Sequence, residues 1–329
     1  MTKRFADAGG GDGPVAVDDL SLVAPSHQIT VLVGPSGCGK TTSLRMINRM
    51  IDPSDGQILV DDQDIQTLDA VPLRRGIGYV IQHAGLFPHK TVVDNIATVP
   101  RLLGWSRQRA RERAMQLIEQ VGLERQYADR YPAQLSGGQQ QRVGVARALA
   151  ADPPIMLMDE PFSAVDPVVR AQLQDEFLRL QAELAKTIVF VTHDIDEAIK
   201  LGDNIVVLRV GGTLAQMDTP VDLLARPGDD FVAGFIGRDR GYRALSFVAP
   251  DDLQVQPLPE AAGSLDTSYP YRRGGPLKAA LDATLTAPDG RAVVVDEHGR
   301  PVGVIEHADV LEAVRRAEHQ RADQATGQA

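Results

Sequence analysis

One octapeptide carries the residue types and spacing of a phosphate-binding loop. Gly34-Pro35-Ser36-Gly37-Cys38-Gly39-Lys40-Thr41 matches the pattern G-x-x-x-x-G-K-[ST]. The glycines let backbone N–H groups turn toward an anion, and a helix that begins there adds the positive end of its dipole. We expect Lys40 to reach the β- and γ-phosphates of a nucleotide, the Thr41 hydroxyl to ligate Mg²⁺, and the phosphate contacts to extend to Thr42.

The flanking sequence supplies the elements that this loop needs. Ile29–Val33 is β-branched and apolar, which predicts a buried strand, and residues 42–49 predict a helix. A chance glycine turn is the alternative, and the strand before and helix after the loop disfavour it. The loop does not indicate which nucleotide-dependent reaction the chain performs.

Polar side chains follow three further apolar runs. Asp159 and Glu160 follow residues 155–158, where Asp159 can hold Mg²⁺ and Glu160 can polarise an attacking water. His193 follows the apolar strand 187–191 and Gln82 follows the strand 76–81. Taken singly, His193 has an ordinary structural interpretation and Gln82 is an ordinary loop amide.

A second glycine-rich helix start is Leu135-Ser136-Gly137-Gly138-Gln139, before a helix predicted over residues 140–150. It is also an anion nest. Two phosphate sites in one chain require an explanation, because a nucleotide has one γ-phosphate.

Strands alternate with helices, and the polar functional residues lie at strand ends. This pattern predicts an α/β fold with sites at the carboxyl edge of a parallel sheet. The chain has 329 residues, 43% of them hydrophobic, and a formal net charge of −10, which argues against a nucleic-acid binder. There is no apolar run of 18 residues, no signal-peptide core at the N-terminus, and Cys38 is the single cysteine. These features fit the cytoplasm, with any membrane association through a partner.

After Gly237 the sequence becomes poorly periodic and rich in proline, glycine and aspartate. We therefore predict one domain over residues 1–238 and a second region over 239–329. Within the second region, residues 276–316 predict a helix, two strands and a helix, and residues 317–329 predict a polar, frayed tail. In the first domain, residues 106–121 predict an amphipathic helix whose arginines either face solvent or meet anionic lipid. Leu86 and Phe87 predict either loop anchors or a contact for another protein.

Together, these motifs resemble the nucleotide-binding subunit of an ABC transporter over residues 1 to about 237. The set comprises the phosphate-binding loop, Gln82, the Leu135–Gln139 signature, Asp159-Glu160, residues 163–166 and His193. The resemblance implies a P-loop NTPase fold with a helical signature subdomain, with ATP and Mg²⁺ as cofactors. It also implies a head-to-tail dimer of two copies, in which the signature of one chain contacts the γ-phosphate held by the other.

The same resemblance implies a role for each matching residue. Glu160 would be the catalytic base, His193 the γ-phosphate sensor, and Gln82 a ligand for Mg²⁺ and water that links the site to the permease. Asp159 would hold Mg²⁺, Asp166 would connect the two sites of the dimer, and Phe5 would stack on adenine. The signature contacts would come from Ser136, Gly137, Gly138 and Gln139. Two transmembrane permease subunits would be partners, with a substrate-binding protein acting indirectly, and the location would be peripheral on the cytoplasmic face of the inner membrane.

Residues 95–105 and 194–203 resemble importers of quaternary amines: glycine betaine, proline betaine, choline or carnitine. Residues 293–305 resemble the core of a CBS motif, a module with which those importers regulate transport by ionic strength, and residues 245–259 resemble a degraded first copy. The alternative is an ABC importer of sugars, polyamines or amino acids. A soluble ABC ATPase of translation or DNA repair is disfavoured because the chain has one cassette and no long coiled coil.

Two features depart from the family pattern. The family has one more strand before the adenine-stacking aromatic, whereas this chain begins almost at Phe5, so we expect a late start or a lost edge strand. Cys38 lies inside the phosphate-binding loop, where the alternative is a small spacer residue. We expect alkylation of its thiol to block ATP binding.

Overall fold

A computed structural model describes residues 1–6, 12–82, 84–163, 165–248, 253–258 and 268–326. Ala164 and, within the expected degraded motif at 245–259, residues 249–252 and 259 therefore lie outside the described residues. The chain divides into two compact units: unit 1 comprises Met1–Leu223 and Gly228–Phe235, and unit 2 comprises Leu224–Pro227 and residues from Ile236 onward.

The strands, in chain order, are β1 (Lys3–Ala6), β2 (Asp12–Val17), β3 (Ile29–Val33), β4 (Leu59–Val60), β5 (Gln63–Asp64), β6 (Ile77–Val80), β7 (Ile155–Asp159), β8 (Thr187–Thr192), β9 (Asn204–Leu208), β10 (Leu214–Asp218), β11 (Tyr271–Arg272), β12 (Arg291–Val295) and β13 (Pro301–Glu306). The α-helices are α1 (Lys40–Ile47), α2 (Ala70–Arg75), α3 (Val92–Ile96), α4 (Thr98–Leu102), α5 (Arg107–Gln120), α6 (Gly137–Leu149), α7 (Pro167–Leu184), α8 (Ile195–Leu201), α9 (Pro220–Ala225), α10 (Asp230–Ile236), α11 (Arg240–Ala244), α12 (Leu277–Thr286) and α13 (His307–Thr326). No helix among the described residues is long and apolar enough to cross a bilayer.

The centre of unit 1 is a six-stranded sheet in the order β10-β9-β3-β8-β7-β6. Five of its strands are parallel, and only β10 runs antiparallel, to β9. All five residues of β3 are buried, as its continuous β-branched run predicts. The α/β prediction with parallel strands is confirmed, and the carboxyl ends of β6, β7, β8 and β3 meet along one edge.

The first strands differ from the sequence expectation. The apolar residues among positions 15–23 of the sequence predict a single strand, but β2 ends at Val17 and the chain turns at Asp18 and Asp19, where Asp19 has a φ of 44°. Positive φ ends regular pairing, and aspartate tolerates it better than most residues. β2 pairs antiparallel with β1, and Phe5 lies on β1.

Helices α3 to α6 form the helical part of unit 1 that carries the signature. The predicted amphipathic helix is α5, and it begins after Ser106, whose hydroxyl accepts a hydrogen bond from the Arg109 N–H at 3.2 Å. Its buried face comprises Ala110, Ala114, Leu117 and Ile118, which recur with the 3.6-residue period of an amphipathic helix.

Unit 2 contains a three-stranded sheet, β11-β12-β13, packed with α12 and α13. Its apolar core includes Tyr271, Ala292, Val294, Ile305 and Val310. Sequence periodicity indicated α12, β12 and β13 but missed the two-residue strand β11. The predicted frayed tail is wrong up to Thr326, because α13 continues that far. Residues 317–326 include three alanines, one arginine, one glutamate and two glutamines, which are strong helix formers without needing an apolar face.

Candidate functional site

The phosphate-binding loop connects the buried end of β3 to the first residue of α1. Gly39 precedes the helix with a φ of 87°, and a Cβ atom there would lie 2.2 Å from the Ala16 carbonyl oxygen. A Cβ atom at Gly34 would lie 2.4 Å from the Leu208 carbonyl oxygen. Both glycines are therefore required by the close approach of neighbouring backbone.

Lys40 lies inside this loop. Its side chain is 7% exposed, and its ammonium donates to the carbonyl oxygens of Gly34 at 2.8 Å and Pro35 at 3.0 Å. The ammonium is thus held against the same loop whose backbone N–H groups are predicted to bind phosphate.

The Cys38 thiol lies beneath the loop, where its Sγ is 3.6 Å from the Lys40 ammonium. Its side chain is fully buried and packs in the apolar core with Val17, Leu44 and Leu208. The spacer interpretation agrees with this placement. A thiol reagent reaches Cys38 only if the loop opens, so the expected block of ATP binding by alkylation has no exposed target in this structure.

A cluster of polar side chains lies at the carboxyl edge of the sheet. The Thr41 hydroxyl donates to Asp159 Oδ1 at 2.9 Å. The Gln82 amide donates to Glu160 Oε2 at 3.2 Å, and His193 Nδ1 lies 3.2 Å from the same carboxylate oxygen. Thr41, Asp159, Glu160 and His193 are far apart in the sequence. The register of the parallel strands brings them together at this edge, with Gln82 beside them.

The electrostatics of Asp159 favour a cation. Burial raises the pKa of its carboxyl, and the neighbouring charge of Glu160 raises it further, while the hydrogen bond from Thr41 lowers it. A hydroxyl and a carboxylate are hard oxygen ligands of the kind that Mg²⁺ accepts, together with phosphate oxygens and water. The donor set of Thr41 and Asp159 fits that ion.

Glu160 has an unusual backbone. Its φ is 46°, the left-handed region, and its N–H donates to the Val191 carbonyl at 3.0 Å. The hydroxyl of Ser163 donates to the Glu160 carbonyl at 2.9 Å. A non-glycine residue in this region costs about 1 to 3 kcal/mol and persists where the surroundings over-determine it, often at functional sites.

The signature lies on a different element. Ser136 caps α6: its hydroxyl accepts from the Gln139 N–H at 3.3 Å, and the Gln139 side chain accepts from the Ser136 N–H at 2.9 Å. This reciprocal capping box leaves the N–H groups of Gly137 and Gly138 at the exposed start of the helix. Over the described ranges, no hydrogen bond joins the signature to the phosphate-binding loop.

Asp166 and Phe5 lie outside the cluster. Asp166 caps α7, with its carboxylate accepting from the Val168 N–H at 3.0 Å, and it is exposed. The Phe5 ring is 42% exposed, and the Lys3 ammonium lies 5.5 Å from its centroid. The free ring face is compatible with stacking, and the structure brings no other predicted site residue to it.

Several residues near the cluster were missed by sequence reasoning. Glu197 and Gln174 are buried and hydrogen bonded to each other, and Arg147 donates to the carbonyls of Ala84 and Gly85, just after Gln82. Glu197 in the sequence is an acidic residue in the first turn of a helix, which ordinarily predicts an exposed side chain that complements the dipole. No sequence signal distinguished it.

A surface cavity of about 380 Å³ lies beside α3, α4 and α5. Its lining is mostly cationic or apolar and comprises Lys90, Val93, Asp94, Ala97, Thr98, Arg101, Leu102, Arg107 and Arg111. Leu102 is 58% exposed at its rim. Part of the arginine-rich face of α5 thus lines a concave surface.

Comparison with known proteins agrees with this geometry. The model of the ABC transporter family matches residues 17–163. The osmoprotectant import ATP-binding protein OsmV of Salmonella typhimurium is 46% identical over 315 residues, which is 95% of this chain and 79% of that protein. The choline transport ATP-binding protein OpuBA of Bacillus subtilis is 55% identical over 246 residues, and the match covers 75% of this chain and 64% of that protein.

Among solved structures, the dimeric ATP-binding cassette MJ0796, in a post-hydrolysis state bound to ADP and phosphate, aligns with a TM-score of 0.60 and 34% identity. The alignment covers 67% of this chain and 96% of that one.

Proposed function

The chain belongs to the ABC transporter family and is an ATP-hydrolysing subunit of an import system, and we propose that the solutes it helps to import are quaternary amines. The support for the substrate class is that the relatives are named for osmoprotectants, choline, carnitine and glycine betaine. An importer of sugars, polyamines or amino acids is not favoured by these relatives.

The observation that carries hydrolysis is the cluster at the sheet edge. Glu160 takes the proton of a water that attacks the γ-phosphorus, and ADP leaves as the bond to the β-phosphate oxygen breaks. The two groups that contact the Glu160 carboxylate, Gln82 and His193, fix its direction. A positioned base of this kind contributes about 10² to 10⁴ in rate.

The remaining cluster residues bind and orient ATP. Lys40 and the N–H groups of the loop hold the β- and γ-phosphates, and Thr41 and Asp159 hold Mg²⁺. When bound, Mg²⁺ offsets charge on the phosphate oxygens. Phe5 stacks on the adenine.

The signature is explained by a second copy of the chain. Within one chain it is capped by its own residues and has exposed N–H groups. In a head-to-tail dimer, Ser136, Gly137, Gly138 and Gln139 meet the γ-phosphate held by the partner, and Asp166 lies between the two sites. The dimeric state named for the solved relative supports this assembly.

The cationic cavity beside α5, with Phe87 and Leu102 exposed nearby, suits a cytoplasmic segment of a permease. Two permease subunits then hold the dimer peripherally at the cytoplasmic face of the membrane, and a substrate-binding protein selects the solute.

Unit 2, with its CBS-like β12 and β13, regulates hydrolysis in response to ionic strength.

Uptake of labelled glycine betaine, choline, carnitine and proline in cells lacking this subunit tests the substrate class. We expect the native chain to restore uptake of at least one quaternary amine, and the Lys40→Ala chain to restore none because it binds ATP weakly. Restoration of sugar or polyamine uptake alone would assign a different importer. Unaltered ATP affinity of purified Lys40→Ala would remove the phosphate-binding role.

A further inference from the structure

Glu197 is a buried carboxylate that ATP hydrolysis, as derived above, does not use. It is the third residue of α8 and is 6% exposed. Among the described residues it forms no salt bridge, although the charge of Arg170 lowers its pKa. Burying a carboxylate without a cation is costly unless hydrogen bonds satisfy its oxygens, so its place in the core calls for a specific set of partners.

Two neutral donors provide those hydrogen bonds. Gln174 of α7, which is 7% exposed, donates its amide to Glu197 Oε1 at 3.0 Å. The Thr192 hydroxyl, at the end of β8, is the second donor near this carboxylate, and its hydrogen bonding lowers the pKa of Glu197. Since a carboxylate only accepts, both partners must donate, and the Thr192 hydroxyl has one proton to give.

The bonds continue around His193 and close a ring. The Thr192 hydroxyl oxygen accepts from the Asp194 N–H at 3.0 Å, and Asp194 Oδ1 accepts from the Glu197 N–H at 3.3 Å. The residues on both sides of His193 are therefore tied to Glu197, one through its carboxylate and one through its backbone.

The His193 side chain is poorly constrained by packing, because more than half of its surface is exposed. Its side chain is 58% exposed, yet its ring lies 3.2 Å from the Glu160 carboxylate. An exposed side chain keeps such a position only as well as its backbone is fixed. Gln174 adds a tie to α7, the helix that begins after Asp166.

We propose that Glu197 is a positioning residue for hydrolysis: held by Gln174, it fixes Thr192 and Asp194 and thereby aims His193 at the Glu160 carboxylate and the γ-phosphate. The proposal rests on the hydrolytic role of His193 proposed above. It assigns no contact between Glu197 and the nucleotide.

The test is a double-mutant cycle on the full-length chain with ATP and Mg²⁺. We expect Glu197→Ala to lower kcat about 10- to 100-fold, the scale of a small misplacement of a reacting group, with KM for ATP little changed. In the His193→Ala background, the same substitution should change kcat by less than about twofold, which is the scatter of independent effects. An equal loss in both backgrounds would overturn the proposal.

Glu197→Gln is the conservative variant and covers the case in which the alanine chain does not fold. Its amide oxygen can still accept from Gln174, but its NH₂ group cannot accept from Thr192, so we expect an intermediate kcat, again only when His193 is present. Native kcat in both Glu197 variants would refute the proposal. Native kcat in His193→Ala alone would instead refute the role of the histidine in the proposed function.

Asp175→Asn is the matched control. Asp175 is 70% exposed and pairs with Lys200 at 2.7 Å, so it joins the same two helices, α7 and α8, at the surface. Exposed ion pairs contribute about 0 to 1 kcal/mol, and we expect native kcat. A loss as large as that of Glu197→Ala would show that any contact between these helices matters, which contradicts a specific role for the buried carboxylate.

Discussion

Two helices of unit 1 begin at glycine-rich anion nests, yet they are built differently. α1 follows Gly39, has no side-chain cap, and has Lys40 and Thr41 in its first turn bound to the loop and to Asp159. α6 is capped by its own Ser136 and Gln139 and is exposed. The first nest is completed by residues from the sheet edge of the same chain.

The second nest is capped by residues of its own helix start, and Ser136 and Gly137 are exposed. The capping box satisfies the helix terminus within the free chain, and in the dimer proposed above the same terminus would bind the γ-phosphate held by the partner. The cluster around α1 should therefore determine whether a chain can perform chemistry, and the start of α6 should determine whether a second chain can.

Glu160→Gln should have the largest effect, because it removes the base from the complete nest. We expect kcat to fall about 10² to 10⁴-fold, while ATP binding persists because Lys40 and Thr41 are untouched. Steady-state hydrolysis and equilibrium binding of ATP measure the two quantities. Turnover at the native rate would show that the cluster around α1 is not where the proton is taken.

A mixed dimer should separate the two nests. Glu160→Gln disables the first nest of one chain, and Ser136→Arg blocks the second nest of the other. Each variant alone should be nearly inactive. Mixed, they form a heterodimer with one site made from an intact Glu160 and an intact Ser136, so activity should rise well above that of either parent.

The control for this mixture places both substitutions in one chain and mixes it with the Lys40→Ala chain. That pair has no complete site. The intact signature of the Lys40→Ala chain faces a first nest that lacks Glu160, and the first nest that lacks Lys40 faces the blocked signature. No gain over the parents is expected. If the first mixture also shows no gain, the signature does not act in trans.

Much of the comparison between the nests was predictable from the sequence. Strand periodicity and the register of parallel strands place Asp159 and His193 on one edge of the sheet, and the motif spacing indicated both helix starts. What the sequence could not indicate depends on burial: Cys38 lies inside a motif but points into the core. Glu197 lies in the acidic first turn of a helix, where an exposed side chain is expected, yet it is buried against Gln174.

The C-terminal differences have a similar cause. Short apolar runs indicated β12 and β13, and consecutive residues of both strands are buried. The two-residue β11 has no period to detect, and the polar end of α13 is helical by local propensity without an apolar stripe. Hydrophobic periodicity therefore does not predict elements that are very short or that lack an apolar face.

Ser136→Ala should have a smaller effect, on stability as well as on activity. Loss of a serine cap costs about 1 kcal/mol. Ser106→Ala at the start of α5 removes the same kind of cap away from both nests. We expect similar losses in the free energy of unfolding for the two variants, but lower kcat only for Ser136→Ala. Equal kcat in the two variants would reduce Ser136 to a helix cap.

The smallest expected effect is a pH dependence of stability from Glu197. Burial raises the pKa of its carboxyl above the ordinary 4.5, as does the charge of Asp194, while hydrogen bonds from Thr192 and Gln174 and the charge of Arg170 lower it. The folded chain therefore keeps a proton that the unfolded chain has lost, so stability from this group is present below pH 4.5 and is lost as pH rises through the folded pKa. Glu197→Gln lacks the group.

The free energy of unfolding of the native chain minus that of Glu197→Gln should therefore fall as pH rises above 4.5 and become constant once the folded carboxyl is ionised. Urea unfolding followed by tryptophan fluorescence measures the free energy of unfolding of unit 1, because Trp105, the only tryptophan in the sequence, lies in that unit. Asp175→Asn, which changes an exposed carboxylate on the facing helix, is the reference for ordinary titration. A difference that rises with pH would mean that the buried carboxylate is stabilised by charge, and that the sheet edge holds His193 through an ion pair instead of through neutral donors.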